Sequence, residues 1–152
     1  MGLEEKINEQ MKTAMKGGEK NRLETLRSIR AAILEFNKSG IGKAMTEDDE
    51  IKLLNSAAKK RRDAIDMYKK GGREELAEKE AFELDVIQEF LPEQLSEDDI
   101  RSFVRAKIEE SGASGMKDMG KIMGISMKEF KGKADGSRVQ QIVREMLGTK
   151  EL

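Results

Sequence analysis

Two serines stand close to lysines at spacings that could support nucleophilic chemistry. Ser114 lies three residues before Lys117, and Ser126 lies two residues before Lys128. Serine/lysine nucleophiles use such spacings. The patterns are short, however, and arise by chance in a chain this rich in lysine. We therefore interpret Ser114 as a helix cap and predict no catalytic residue.

The segment GMKDMGKI, Gly115 to Ile122, has the G-x-x-x-x-G-K spacing of a phosphate-binding loop. Ile122 stands where the metal-binding hydroxyl belongs, and no predicted strand precedes the segment. The 152 residues include no His and no Cys, which excludes an imidazole base, a thiol nucleophile and a conventional zinc site. The acidic clusters lie at predicted helix starts, so we expect neither a metal nor a cofactor.

The lysines favour a different chemistry, contact with phosphates. At 100° per residue, Lys117, Lys121, Gly124 and Lys128 fall on one face of a predicted helix. Gly120 and Gly124 each cost about 1 kcal/mol relative to alanine inside a helix. One explanation is close approach of a phosphate backbone, and the other is close packing of two helices. The predicted phosphate contacts of this region are Lys117, Lys121, Lys128, Lys131, Lys133 and Arg138.

A second basic block precedes an acidic one, although the net charge is only −1. Residues 52–73 hold eight basic and two acidic side chains, whereas residues 74–99 hold eleven acidic and one basic. The blocks can neutralise each other across a helix pair, each pair contributing about 0–1 kcal/mol. They can also present a basic ridge to a polyanion, formed by Lys59, Lys60, Arg62, Lys69, Lys70 and Arg73.

One ion pair can be predicted between these two blocks. Arg61 falls on the apolar stripe of the predicted helix that carries the basic block. Glu80 falls on the apolar stripe of the predicted helix that carries the acidic block. Both lie at a similar distance along their helices from the Gly71-Gly72 turn. We predict a partly buried salt bridge, and loss of one partner would cost about 3–5 kcal/mol if the pair is well buried.

The elements that position these residues are predicted to be helices throughout. Apolar residues recur at helical spacing in seven segments. No stretch longer than a few residues alternates between apolar and polar residues, as a half-buried strand would. Thr46 and Ser96 are predicted helix caps. The sixth helix is predicted to turn one stripe toward the core of its domain, formed by Met116, Met119, Met123, Met127 and Phe130.

The fold class is therefore all-α. Pro92 follows the fourth helix and marks the predicted domain boundary. We expect an N-terminal helical domain, residues 1–92, with a long antiparallel hairpin, and a small C-terminal three-helix domain, residues 96–148. The longest apolar run, 31–34, is far below the roughly 18 residues of a membrane span. We therefore expect a soluble, cytoplasmic protein without a membrane segment.

Two long segments carry a resemblance to a known family. KKRRDAIDMYKKGGREELAEKEAFELDVIQEFLPEQLSEDDI, and then GASGMKDMGKIMGISMKEFKGKADGSRVQQIVREML, closely resemble the YqeY family, also called the GatB/YqeY domain. The resemblance covers nearly the full chain. The sequence departs from the family pattern at residues 125–128, where a proline is expected near the methionine.

The resemblance implies an all-helical, two-domain protein similar to the C-terminal tail of the GatB subunit of the glutamyl/aspartyl-tRNA amidotransferase, a tail that contacts tRNA. The leading hypothesis is therefore an accessory RNA-binding module, with tRNA or another structured RNA as partner. The main alternative is a protein-protein interaction module. A third hypothesis is a component of a carbon-nitrogen ligase with glutamine as amide donor, a label that the resemblance carries.

Overall fold

A computed structural model of the chain describes residues 2–40 and 44–150, the last two by their backbone alone. Over these residues the protein is all-α, as the sequence predicts, with seven α-helices and one 3-10 turn. Four helices lie before Pro92: α1, Leu3–Lys16; α2, Lys20–Ser39; α3, Glu47–Lys70; and α4, Glu74–Gln88. The others are α5, Glu97–Ser111; the 3-10 turn, Met116–Asp118; α6, Met119–Phe130; and α7, Gly136–Lys150.

Two capping boxes begin helices where the sequence predicts them. The backbone N–H of Asp49 donates to Thr46 Oγ1 over 3.2 Å, and the N–H of Thr46 donates back to the Asp49 carboxylate. Ser96 and Asp99 make the same exchange at the start of α5. These bonds satisfy amide groups that have no partner within the helix.

The helices of the two units end in different ways. Gly112 ends α5 in the left-handed conformation, with φ of 68°, which glycine adopts at little cost. The helix α4 ends at Gln88, because residues 90 and 91 bond to carbonyls three residues back, a tighter turn ahead of Pro92. The helix α7 continues through Gly148 to Lys150.

The chain divides into two compact units, one up to Pro92 and one from Glu93 onward. The core of the first unit is aliphatic and receives side chains from all four of its helices. Its fully buried large residues are Ile7, Leu26, Ile29, Ile33, Leu54 and Ile87. The core of the second unit is formed by α5, α6 and α7, and its fully buried large residues are Val104, Ile122, Val139, Val143, Ile100 and Leu147.

The packing of α6 corrects the prediction that its methionines form the buried stripe. The buried line consists of Ile122, Ser126 and Phe130. Met119, Met123 and Met127 are only partly buried at the edge of the core, and Met116 is 37% exposed. Phe130, which belongs to the predicted stripe, is thus buried, whereas Ile122 and Ser126 take the central positions predicted for the methionines.

Candidate nucleic-acid interface

The lysine face of α6 lies on the side of the helix away from its core. Ile122, Ser126 and Phe130 are buried, and at 100° per residue Lys121 and Lys128 point roughly opposite to them. Both lysines are exposed, and so is Lys117 in the preceding 3-10 turn. Burial of one stripe therefore holds the lysines in solvent.

In the described part of the chain these lysines make no ion pair. Among the described residues, none of Lys117, Lys121 and Lys128 has an acidic group within ion-pairing distance, whereas Lys107 pairs with Glu110 at 3.2 Å. Their charges are therefore available to an external anion.

The two glycines of α6 leave this face bare. Gly120 and Gly124 are exposed, and a Cβ added at either would meet nothing within 4 Å. Of the two explanations that the sequence left open, close packing against another helix of the second unit is therefore wrong for its described residues. An external backbone could approach the helix here more closely than at any residue with a side chain.

Lys131 and Lys133 extend the basic face into the loop after α6. Lys131 has a φ of 22°, a strained conformation for a lysine. Hydrogen bonds fix the loop, and they include the Gln94 amide to the Gly132 carbonyl at 2.8 Å, the Leu95 N–H to the Lys133 carbonyl at 2.8 Å, and the Lys133 N–H to the Phe130 carbonyl. Both lysine side chains are exposed, so a well-anchored backbone presents two charges to solvent.

Arg138 differs from these lysines because it already forms an ion pair within the protein. One guanidinium nitrogen lies 3.5 Å from Glu97 Oε2, although the side chain is 59% exposed. Glu97 also binds Arg101 at 2.9 Å, and Arg101 binds Glu145 at 2.9 Å. The two arginines hold the pKa of the Glu97 carboxyl below its usual range, Arg101 contributing most.

The second predicted patch, on α3 with Arg73 at the start of α4, is broader than a single ridge. Lys59, Lys60, Lys69, Lys70 and Arg73 are exposed, whereas Arg62 is half-buried. Lys59 and Lys70 share one line of the helix, about 16 Å apart, and Lys60 lies roughly 80–100° around from that line. The structure thus spreads these charges around α3 instead of aligning them.

Arg61 contacts two acids of α4 where the sequence predicted one. Its Nε lies 3.5 Å from Glu80 Oε2 and 3.1 Å from Glu83 Oε2. Its guanidinium also donates to Ser28 Oγ on α2 at 3.4 Å. Sequence reasoning missed Glu83, although its position three residues after Glu80 places both on one side of the helix.

The surroundings of Glu80 shift its pKa. Burial raises the pKa of Glu80 above its usual range, and the neighbouring Glu83 raises it further by repulsion and by a hydrogen bond between the side chains. Arg61 opposes this effect, as does Lys79. A single arginine therefore does not fully compensate two carboxylates that are both about four-fifths buried.

The serine and lysine pairs do not form a catalytic arrangement. Ser126 is fully buried, while Lys128 is exposed on the opposite side of α6. The prediction that the Ser114 side chain caps a helix is wrong. The Ser114 N–H instead donates to the Asp118 carboxylate at 2.8 Å. Across residues 2–40 and 44–150 there is no group of three acidic side chains placed to hold a metal.

No helix in the described part of the chain is both long and apolar enough to cross a bilayer. The exposed surface around α6 is basic instead of apolar. Within the described part of the second unit, Met116 is the one large hydrophobic side chain with substantial exposure.

The fold and this face define a class: a helical protein of two compact units whose second unit presents a bare, basic helix face. Residues 4–147 match the family model described as YqeY, Yqey-like protein, and the chain belongs to this family.

Two curated proteins are similar to the chain. One is altered inheritance of mitochondria protein 41, mitochondrial, from Pyrenophora tritici-repentis, which is 31% identical over 149 residues, 95% of this chain and 81% of that protein. The other is an uncharacterized protein of Schizosaccharomyces pombe, 35% identical over 91 residues, 59% of this chain and 72% of that protein.

Proposed function

We propose that this chain is an accessory RNA-binding module, with tRNA as the favoured RNA and without catalytic residues of its own. The observation that carries the proposal is the face of α6 opposite its buried stripe. There, exposed lysines without ion-pair partners among the described residues flank two glycines with open space above them. A sugar-phosphate backbone fits both features, since it needs positive charge and close approach.

The chemistry of the face favours recognition of backbone and shape over recognition of bases. Lysine acts toward phosphate as a point charge and carries no base-specific geometry. Single-stranded bases stack on exposed aromatic rings, and the rings near α6 are engaged elsewhere. Phe103 and Phe130 pack together with centroids 4.9 Å apart, and Phe130 is buried. A structured RNA is therefore the expected ligand.

The resemblance to the GatB tail of the tRNA-dependent amidotransferase supports the same partner. That tail contacts tRNA and performs no chemistry. The cytoplasmic location predicted from the sequence stays a prediction, because the name of one similar protein describes that protein as mitochondrial.

The direct test is binding of the purified chain to bulk tRNA at about 50 and 200 mM salt. Neutralising phosphates releases counterions, so an electrostatic site loses affinity steeply as salt rises. Micromolar binding with a steep salt dependence supports the proposal. No binding at 50 mM salt would refute it.

A protein-interaction module is the second candidate, favoured by exposed apolar side chains in the first unit. Met67 is 70% exposed and Met15 is 60% exposed, and methionine surfaces adapt to varied partners. The carbon-nitrogen ligase hypothesis rests on the family resemblance alone. Conversion of glutamine, or of mischarged tRNA, by the purified chain without added subunits would support it.

A further inference from the structure

One face of α4 combines an exposed aromatic ring with unpaired acids. Glu78, Phe82 and Asp85 lie within about 60° of one another on the helix. Phe82 is 43% exposed, and both acids are exposed. Among the described residues, neither Glu78 nor Asp85 has a basic group within ion-pairing distance, although Glu89 one turn later binds Arg22 at 2.6 Å.

The basic face of α6 has the same spacing in reverse order. Glu78 precedes Phe82 by four residues, and Asp85 follows it by three. Around Gly124 the order is opposite, because Lys121 precedes it by three residues and Lys128 follows it by four. In both helices the outer charges are seven residues apart, a rise of about 10.5 Å.

We propose that α4 of one copy of this chain docks antiparallel on α6 of a second copy. In that register Asp85 faces Lys121, Phe82 faces Gly124, and Glu78 faces Lys128. The charges are complementary at both ends, and the ring meets a residue without a side chain at the centre.

The same alignment continues beyond the three central pairs. In the sequence, Glu75 pairs with Lys131 and Glu89 with Lys117 at the next positions, although Glu89, Lys117 and Lys131 lie just outside the two helices. Arg22 already binds Glu89, which leaves the last of these pairs the weakest.

The contact also gives a common reason for two costly features. An exposed phenylalanine leaves apolar surface in water, and an exposed helical glycine lowers helix stability. Gly120 and Gly124 are four residues apart and together form a bare strip above which nothing lies within 4 Å. A phenyl ring laid on that strip would let the helices approach closely and leave the flanking side chains at ion-pairing distance.

Every copy carries both docking surfaces, and the two surfaces differ from each other. The contact is therefore heterologous, with one copy giving its α4 and the other receiving it on its α6. This contact does not depend on RNA binding, but it covers the same lysines. RNA and a second copy should therefore compete for α6.

Charge exchange between two variants tests the contact, with association measured by sedimentation velocity up to about 0.5 mM protein, a range suited to small interfaces. The first variant carries Glu78→Lys and Asp85→Lys, and the second carries Lys121→Glu and Lys128→Glu. The wild type is expected to associate at about 50 mM salt and to dissociate at about 500 mM. Each variant alone should associate at least tenfold more weakly, whereas their mixture should associate again through the exchanged charges.

Lys12→Glu with Lys16→Glu is the matched control, because these lysines are exposed, four residues apart, and on a different helix. Helical circular dichroism confirms that each variant is folded. A monomeric wild type at low salt would overturn the proposal, and so would association that the α4 variant leaves unchanged or that the mixture fails to restore.

The α4 variant also separates this proposal from RNA binding. It should lose self-association and bind RNA at least as tightly as the wild type, because it keeps the α6 lysines and loses two negative charges. A chain that self-associates but binds no RNA would leave the docking intact and refute only the RNA proposal.

Discussion

Reversing the three lysines on the outer side of α6 should separate RNA binding from folding. The triple variant Lys117→Glu, Lys121→Glu and Lys128→Glu changes exposed side chains that make no ion pair among the described residues. These side chains are not part of the core, so the free energy of unfolding should change by no more than about 0.5 kcal/mol per site. The effect on tRNA affinity should be far larger.

The expected effect follows from the number of phosphate contacts in the proposed site. The proposal counts five contacts, since Arg138 is already bound to Glu97: Lys117, Lys121, Lys128, Lys131 and Lys133. At about 0.9 per contact in the slope of log affinity against log salt, a fourfold rise in salt should weaken wild-type binding roughly 500-fold. The variant keeps two contacts, and its loss over the same range should be about tenfold.

The assay is tRNA binding by fluorescence anisotropy between about 50 and 200 mM salt, beside the Lys12→Glu, Lys16→Glu control. The control should keep the wild-type slope, because those lysines lie on α1. An unchanged slope in the α6 variant would remove this face from the site. An equal loss of slope in the control would show that attraction to the whole surface, and not a defined face, accounts for binding.

Four further predictions concern the interior and the strained loop. Arg61→Met should destabilise the protein by about 2–3 kcal/mol in denaturant unfolding, because it leaves two mostly buried carboxylates without their cation; a loss within about 0.5 kcal/mol would contradict this network. Glu80→Gln should lower the free energy of unfolding only slightly at neutral pH, since Arg61 still pairs with Glu83. The raised pKa of Glu80 means that the folded state holds the proton more tightly, so its contribution to stability is complete below the unfolded pKa of about 4.3 and is lost as pH rises through the folded pKa. Relative to the wild type, Glu80→Gln should thus become more favourable as pH rises above about 4.3 and through the folded pKa of Glu80, and equal stability curves would refute that sign. Ser126→Ala should leave stability unchanged or raise it by about 1 kcal/mol, because the buried hydroxyl has no hydrogen-bond partner in the described chain; a loss above about 1 kcal/mol would reveal a partner. Lys131→Gly should raise the unfolding midpoint by relieving the positive φ while weakening tRNA binding, and tighter binding would argue against a phosphate contact there.

Local rules account for what the sequence predicted well. The capping boxes at Thr46 and Ser96 depend on bonds between residues three apart, and such bonds are specified within one helical turn. The exposed line of Lys121 and Lys128 follows from the 100° rotation per residue once the opposite side of α6 is apolar. Arg61 and Glu80 meet because the short Gly71-Gly72 turn fixes their distance from it.

Contacts between residues distant in sequence were decided by the tertiary structure. The apolar pattern of α6 allowed either the methionines or the Ile122 line to face inward, and packing against α5 and α7 placed Ile122 and Phe130 at the centre. Arg138 looked free in the sequence, but the approach of α7 to the start of α5 pairs it with Glu97, 41 positions earlier.

The sequence by itself determined that this chain is helical, where most of its helices begin, and which lysines share a face, because each property follows from residues within one or two turns. Only the tertiary structure decided which charges remain unpaired and that the glycines of α6 face open space. Those properties depend on which distant side chains arrive at the same place, and no spacing along a single helix specifies that.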